Sequence, residues 1–226
     1  MNPIRKVNLD FLFERGFRVS YGLPFTELER PDTWRVRSQS GIAARLMALH
    51  ALFTWVAMSP EDAPTDDVLD YMERNALREF MPPDERAIAD LRRSEAHDQN
   101  IETIGWKLEN IWALAWVLGF EPAPSLAGVI TREMAKAIVF KFLPGYGGTI
   151  NSVLTRCSPR PVRDVIIMED LFFCAHNAVR NAQEGGQTVP VGFDPVIDGG
   201  AVYERRHALT WCISPGTPWE ETDLSA

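Results

Sequence analysis

The chain has 226 residues, of which 46 % are hydrophobic and 24 % are charged, and its formal net charge is −8. These proportions are ordinary for a soluble globular protein, and the acidic balance disfavours a nucleic-acid partner while it suits a basic protein. The three cysteines are far apart and form no C-x-x-C pair, which disfavours a disulfide framework or a zinc ribbon.

Apolar residues at alternating steps of three and four predict helices in the first half of the chain. After a first helix that ends at Gly16, we expect a loop that contains Pro24 and Pro31. Ser38 or Ser40 is the expected N-cap of the second helix. The predicted helices cover residues 4–15, 41–58 and 66–80, and a short charged helix begins at Asp84. A polar stretch, residues 92–100, then leads into the next helix.

The stretch from Ile101 to Gly119 is the predicted central helix, with Asp98 as its expected N-cap. Trp112 and Trp116 add a second apolar strip to its main one, and a helix that is apolar around much of its circumference is normally buried on several sides.

Glu109 lies among the tryptophans of this helix without an obvious local cation. Because an unpaired buried carboxylate is costly, we predict that Glu109 is buried or half-buried and pairs with Arg205 or Arg45. Such a pair would tie the central helix to another helix.

The second half of the chain is also predicted to be helical, over residues 126–143, 162–183 and 201–213. Within the first of these segments, residues 137–142 (AIVFKF) suit a strand equally well. Asp198 is the expected cap of the last helix, and a polar tail that contains Trp219 follows. The sequence therefore predicts an all-α fold, a single-domain helical bundle of about six to eight helices around a central Trp-rich helix, with little or no sheet. We expect one domain over residues 1–226, with a less ordered tail from about residue 214.

Three segments, in this order, resemble the bacterial family known as domain of unknown function 4272: VRSQSGIAARLMALHAL, IGWKLENIWALAWVLGF and DGGAVYERRHALTWCI. The matching residues are Arg37, Ser38, Arg45, Trp106, Glu109, Trp116, Leu118, Gly119, Asp194, Pro195, Val202, Tyr203, Glu204, Arg205, Ala208, Leu209, Trp211 and Trp219. Thr210 stands where the family pattern has an asparagine, and residues 125–156 match poorly. The resemblance implies a mostly helical, cytosolic bacterial protein, and it implies no activity.

The final helix carries the sequence Tyr203-Glu204-Arg205-Arg206-His207, where a Glu and a His are close enough to suggest general acid–base work in a cleft. The structural interpretation is that Glu204 or Arg205 forms an ion pair with another helix. Trp34 and Trp219, which lie in polar loops, either cover the edge of the core or anchor a partner protein. The candidate binding residues are Glu109, Tyr203, Glu204, Arg205, His207, Trp34 and Trp219.

The sequence predicts no catalytic residue, metal site or cofactor, because the four histidines are dispersed and no phosphate-loop or nucleophile motif is present. No signal peptide or membrane span is expected. The apolar run that comes nearest to the ~18 residues of a membrane span, AIVFKFL, is short and broken by Lys141. These features favour a cytoplasmic location and no membrane contact.

The leading functional hypothesis is a soluble protein-binding protein, in one version an immunity protein that neutralises a toxin. The alternative is a small enzyme with an acid/base site of Glu and His between the central and final helices. A helical homodimer with a structural role is a third hypothesis.

Overall fold

The computed structural model describes residues 2–20, 23 and 31–225, and within these ranges the regular secondary structure is entirely helical. The predicted all-α class is confirmed. The predicted loop with Pro24 lies mostly outside the described residues, and a 3₁₀ turn at Pro31–Thr33 follows it. The described α-helices, numbered α1 to α10, are Pro3–Glu14, Gln39–Ala57, Thr65–Arg74, Pro83–Asp90, Arg93–Asn100, Lys107–Val117, Arg132–Ala137, Ile150–Leu154, Val162–Gln183 and Ile197–Ile213.

Most residues of helix α2 are buried, and the helix packs against α3, α4, α5, α6 and α8. Ser38 caps it, since the Ser38 hydroxyl accepts a hydrogen bond from the Gly41 N–H at 3.2 Å. This 19-residue helix contains an 18-residue window with a mean hydropathy of 1.3, so by length and composition alone it could cross a membrane, although no uninterrupted apolar run reaches that length. However, 78 % of its apolar window is buried inside the protein, as in the core helix of a globular domain.

The central helix is shorter than predicted, because the polar stretch before it forms a helix of its own. Helix α5 starts after Arg92, whose backbone N–H donates to the Glu95 carboxylate at 3.3 Å. Asp98 therefore lies inside α5 and caps nothing. A 3₁₀ turn at Ile104–Trp106 then leads into α6, which packs against α2 and α10.

The predicted helix over residues 126–143 is wrong in its first third, where side chains from other helices take up the backbone groups. Arg205 donates to the carbonyls of Ser125 at 2.7 Å and Gly128 at 2.8 Å. The Ile130 N–H donates to Glu109 at 2.7 Å. Only Arg132–Ala137 is α-helical there, and a π-helical turn at Ile138–Phe142 continues it.

Helix α10 begins four residues before the predicted start. The Asp194 carboxylate accepts hydrogen bonds from the N–H groups of Val196 at 2.8 Å and Ile197 at 3.0 Å, so Asp194 takes the capping role expected of Asp198. Asp198 lies in the first turn of the helix instead.

The described part of the C-terminal tail packs against the helices, and the expectation of a less ordered segment from about residue 214 stays a prediction. Trp219 is buried in the main core cluster. Arg206, itself buried, donates to the carbonyls of Leu224 and Ser225, both at 2.9 Å. These contacts attach both the middle and the end of the described tail to α10.

Candidate functional site

Glu109 on α6 and Arg205 on α10 form a buried ion pair, as predicted. The Glu109 Oε2 atom accepts from Arg205 Nε at 2.9 Å and lies 2.7 Å from Arg205 Nη2. The two side chains are 2 % and 0 % exposed. The guanidinium also lies over the Trp112 ring, 4.8 Å from its centroid.

The surroundings of this pair close it to any ligand. Burial raises the pKa of Glu109, while Arg205 and the Ile130 N–H favour the carboxylate. Burial likewise lowers the pKa of Arg205, against the attraction of Glu109. Since Arg205 also donates to the carbonyls of Ser125 and Gly128, both groups have their hydrogen-bond partners inside the protein. The pair joins α6, α10 and the segment between α6 and α7.

The other candidates on α10 have separate partners. Glu204 is half-buried, accepts from Asn110 Nδ2 at 2.9 Å, and has its pKa raised by burial. The His207 Nε2 atom lies 2.9 Å from the Trp219 carbonyl, and burial lowers the pKa of His207. Tyr203 is 40 % exposed and touches the His176 ring with its edge. Glu204 and His207, both fully described, are not hydrogen-bonded to each other, so they form no acid–base pair.

Trp219 covers the core edge. Its ring lies 4.0 Å from the Arg45 guanidinium carbon and 4.3 Å from the His207 ring centroid. Arg45 in turn binds both carboxylate oxygens of Glu85, at 2.6 and 2.8 Å, and Lys107 binds Glu85 at 2.7 Å. Attraction to Arg45 and Lys107 outweighs the effect of burial and lowers the pKa of Glu85. Trp34, the other loop tryptophan, is half-buried.

Cysteine and histidine chemistry has no developed site in the described chain. Burial raises the pKa of the Cys174 and Cys212 thiols, which opposes thiolate formation. Burial lowers the pKa of His50 and His176 to about 4 in each case. Among the described residues, no group of three or more His, Cys, Asp and Glu is arranged to hold a metal ion.

Among the described residues the buried charges balance, so the net charge of this part of the chain lies on the surface. The buried cations are four arginines and the buried anions are four carboxylates: Arg5, Arg45, Arg205 and Arg206, with Glu85, Glu109, Glu169 and Asp170. Asp170, for example, binds Arg5 at 2.6 Å. The excess of negative charge is therefore available to a partner in solution.

This excess is confined to one part of the chain. Residues 61–102 contain 13 acidic residues and 5 arginines, a net charge of −8, which leaves 18 acidic and 18 basic residues in the rest of the chain. Except for Glu85, every one of the 13 is exposed. We call the surface of α3, α4, α5 and their connections, residues 61–102, the acidic face. Sequence reasoning took the charge of the whole chain and missed this face, which a running charge count would have shown.

A cavity of about 400 Å³ lies at the acidic face, between the end of α2 and the start of α5. It is lined by Val56, Ala57, Met58, Ser59, Pro60, Arg93, Ser94, His97 and Asp98, and we call it the α2–α5 groove. A larger cavity of about 540 Å³ lies at the other end of α2, next to Ser38 and Arg160. Of the predicted site residues, Trp219 borders a cavity of about 250 Å³ beside Arg45, whereas Glu109, Glu204 and His207 border none of these three.

A family model described as domain of unknown function (DUF4272) matches residues 5–222, which is nearly the whole chain. Comparison with curated proteins and with solved structures finds no match. The chain therefore belongs to the DUF4272 family, as the three sequence segments indicated.

Proposed function

We propose that this member of the DUF4272 family is a protein-binding protein that engages a basic partner through its acidic face. The observation that supports this proposal is the concentration of the net charge, −8, in residues 61–102. A surface with a large net charge of one sign attracts an oppositely charged protein over long range and speeds their association. It also repels nucleic acid and anionic membrane surfaces, so a protein is the partner that the charge favours.

One concrete version is an immunity protein in the bacterial cytoplasm that neutralises a toxin. A toxin that acts on nucleic acid needs a basic surface to bind phosphates, and an acidic face can cover such a surface. In this version the partner is encoded beside the gene of the protein, and co-expression restores growth to cells that produce the toxin.

The enzyme alternative has less support from the geometry. Its acid/base site requires Glu109, Glu204, Arg205 and His207 to meet in an open cleft, and Glu109 and Arg205 are instead closed off by their mutual pairing. A homodimer that buries two acidic faces against each other is also disfavoured, because like charges repel. Light scattering of the purified protein reports on the homodimer directly.

The proposal is tested by capture from native lysate with two variants that change the charge equally. The face variant neutralises four exposed carboxylates of the acidic face: Glu73→Gln, Glu79→Gln, Asp98→Asn and Glu102→Gln. The control variant neutralises four exposed carboxylates elsewhere: Asp10→Asn, Glu14→Gln, Glu133→Gln and Glu184→Gln. Captured proteins are quantified by mass spectrometry at low and high salt.

We expect the wild type and the control variant to capture the same basic protein at low salt, and the face variant to lose most of it. Screening at high salt should weaken the capture in parallel. Equal capture by the face variant, or no captured protein for the wild type, would contradict the proposal.

A further inference from the structure

We infer that the α2–α5 groove receives an apolar side chain of a basic partner segment, with the surrounding carboxylates binding the Lys and Arg residues that flank that side chain. This inference rests on the proposed function, and it adds the place and the chemistry of the contact. Three observations carry it: the apolar lining of the groove, the sign of the charge around it, and the orientation of the arginine that lines it.

The lining of the groove is largely apolar. Val56, Ala57, Met58 and Pro60 contribute hydrocarbon surface from the end of α2 and the turn after it. The volume, about 400 Å³, lies within the range of roughly 300–1,000 Å³ that is usual for ligand sites. The groove therefore offers room and hydrophobic surface for an anchoring side chain of the partner.

One carboxylate lines the groove, and others are neighbours of lining residues in the sequence. Asp98 lines the groove itself, and Glu61 and Asp62 directly follow the lining residue Pro60. Glu95, on the same helix as Asp98, is also exposed. An apolar centre with a charged rim is the usual anatomy of a protein–protein interface, and here four exposed carboxylates outnumber the exposed guanidinium of Arg92, so the net charge of the rim is negative.

The cation that lines the groove is directed into the protein. Arg93 is half-buried, and its Nη2 atom donates to the carbonyls of Met58 at 2.8 Å and Thr54 at 3.3 Å, at the end of α2. Its Nη1 atom donates to the Ala63 carbonyl. Because Arg93 is bound to these carbonyls, it is not positioned to recruit an acidic partner, and the exposed acids determine the sign of the site.

The occupant that fits these features is a basic protein segment with a large apolar residue. An anionic lipid surface or a phosphorylated segment would bring negative charge to the rim, which is unfavourable. A second copy of this chain would bring another acidic face. Charge complementarity thus selects a Lys- or Arg-rich segment with an apolar anchor.

The test uses two synthetic peptides of about twelve residues as probes, each labelled for fluorescence anisotropy. The first has leucines at helical spacing and lysines elsewhere, and the second has serine in place of every leucine, so that the two carry the same charge. Each is titrated against the wild type, Ser94→Trp and Gln99→Trp. Ser94 lines the groove, whereas Gln99 is exposed on the same helix and outside the groove lining, which makes it the matched control.

We expect the leucine peptide to bind the wild type at least tenfold more tightly than the serine peptide. Ser94→Trp, which fills the groove, should remove this preference, and Gln99→Trp should keep it. If both peptides bind the wild type equally, or if Ser94→Trp keeps the preference, the groove is not the docking site. Circular dichroism of both variants confirms that they fold.

The lysate capture distinguishes a wrong assignment of the groove as the docking site from a wrong proposed function. If the basic partner is lost from the face variant and retained by Ser94→Trp, the acidic face binds without an anchor in the groove, and only this inference is overturned. If the face variant keeps the partner, the proposed function itself is wrong.

Discussion

Replacement of Glu109 by Gln removes one charge from the pair that joins α6 and α10 and changes almost nothing in shape. The new amide side chain still offers an oxygen to the Ile130 N–H, which donates to Glu109 at 2.7 Å in the native protein. Arg205 remains buried and charged, with the carbonyls of Ser125 and Gly128 as its other acceptors. The variant therefore measures the cost of leaving the guanidinium without its counter-ion.

Breaking a buried ion pair by removing one partner costs about 3–5 kcal/mol. Since two carbonyls still hold Arg205, we expect Glu109→Gln to lower the free energy of unfolding by about 3 kcal/mol, near the lower limit of that range. In a chain of this size each kcal/mol moves the melting temperature by about 2–4 °C. The expected fall in Tm is therefore about 6–12 °C.

Urea denaturation followed by circular dichroism measures this change, with Glu184→Gln as the control, because Glu184 is exposed and undergoes the same chemical replacement. The double variant Glu109→Leu with Arg205→Met should be less destabilised than Glu109→Leu alone, since no uncompensated charge remains buried. A loss of less than about 0.5 kcal/mol in Glu109→Gln, as is usual for a surface substitution, would refute the role of the pair.

Three other substitutions test separate parts of the fold. Burial lowers the pKa of His50 in the folded protein to about 4, from the ordinary 6.5, so the folded state loses about 3 kcal/mol of stability as the pH falls from 6.5 towards 4. In His50→Gln the free energy of unfolding should depend less on pH between those two values. An unchanged pH dependence would contradict this. Trp219→Ala should cost about 3 kcal/mol and expose the tail to limited proteolysis after residue 214, whereas an intact tail would show that Trp219 does not hold it. Gly119→Ala should cost at least about 1 kcal/mol in thermal unfolding, because Gly119 has φ +108° and a Cβ there would lie 2.4 Å from the Ser158 carbonyl oxygen; an unchanged Tm would contradict this.

The Glu109–Arg205 pair could be predicted from sequence because its reason is local. A carboxylate in an apolar helix has to be paired, whatever the fold around it, and Arg205 was one of the two arginines predicted as its partner. The helical class follows in the same way from the spacing of apolar residues, and helix α9 has the predicted bounds.

The segments that were predicted wrongly depend on features that apolar periodicity does not report. Residues 126–131 have helical periodicity, yet two distant side chains bind their backbone groups. Arg205 binds the Gly128 carbonyl, 77 positions away, and Glu109 binds the Ile130 N–H, 21 positions away. Helix α5 has a sequence that is too polar to be recognised by apolar periodicity. Non-local hydrogen bonds and polar helices both lie outside what a pattern of apolar residues can report.

The negative charge of the candidate site could be predicted from the sequence, but its position on the fold could not. The chain's acidity indicated a basic partner, and its concentration in residues 61–102 was visible in the sequence. The α2–α5 groove was not, because it forms only where the end of α2 meets the start of α5. Glu204, His207 and Trp219 were chosen for their chemical types, and the fold gives each a partner within the protein.

The central claim is that the acidic face binds a basic protein, and calorimetric titration of the captured partner tests it most directly. We predict that the face variant binds that partner at least tenfold more weakly than the wild type and the equally charged control variant do, and that rising salt narrows the difference. Equal affinities of all three proteins for the partner at low salt would contradict the claim.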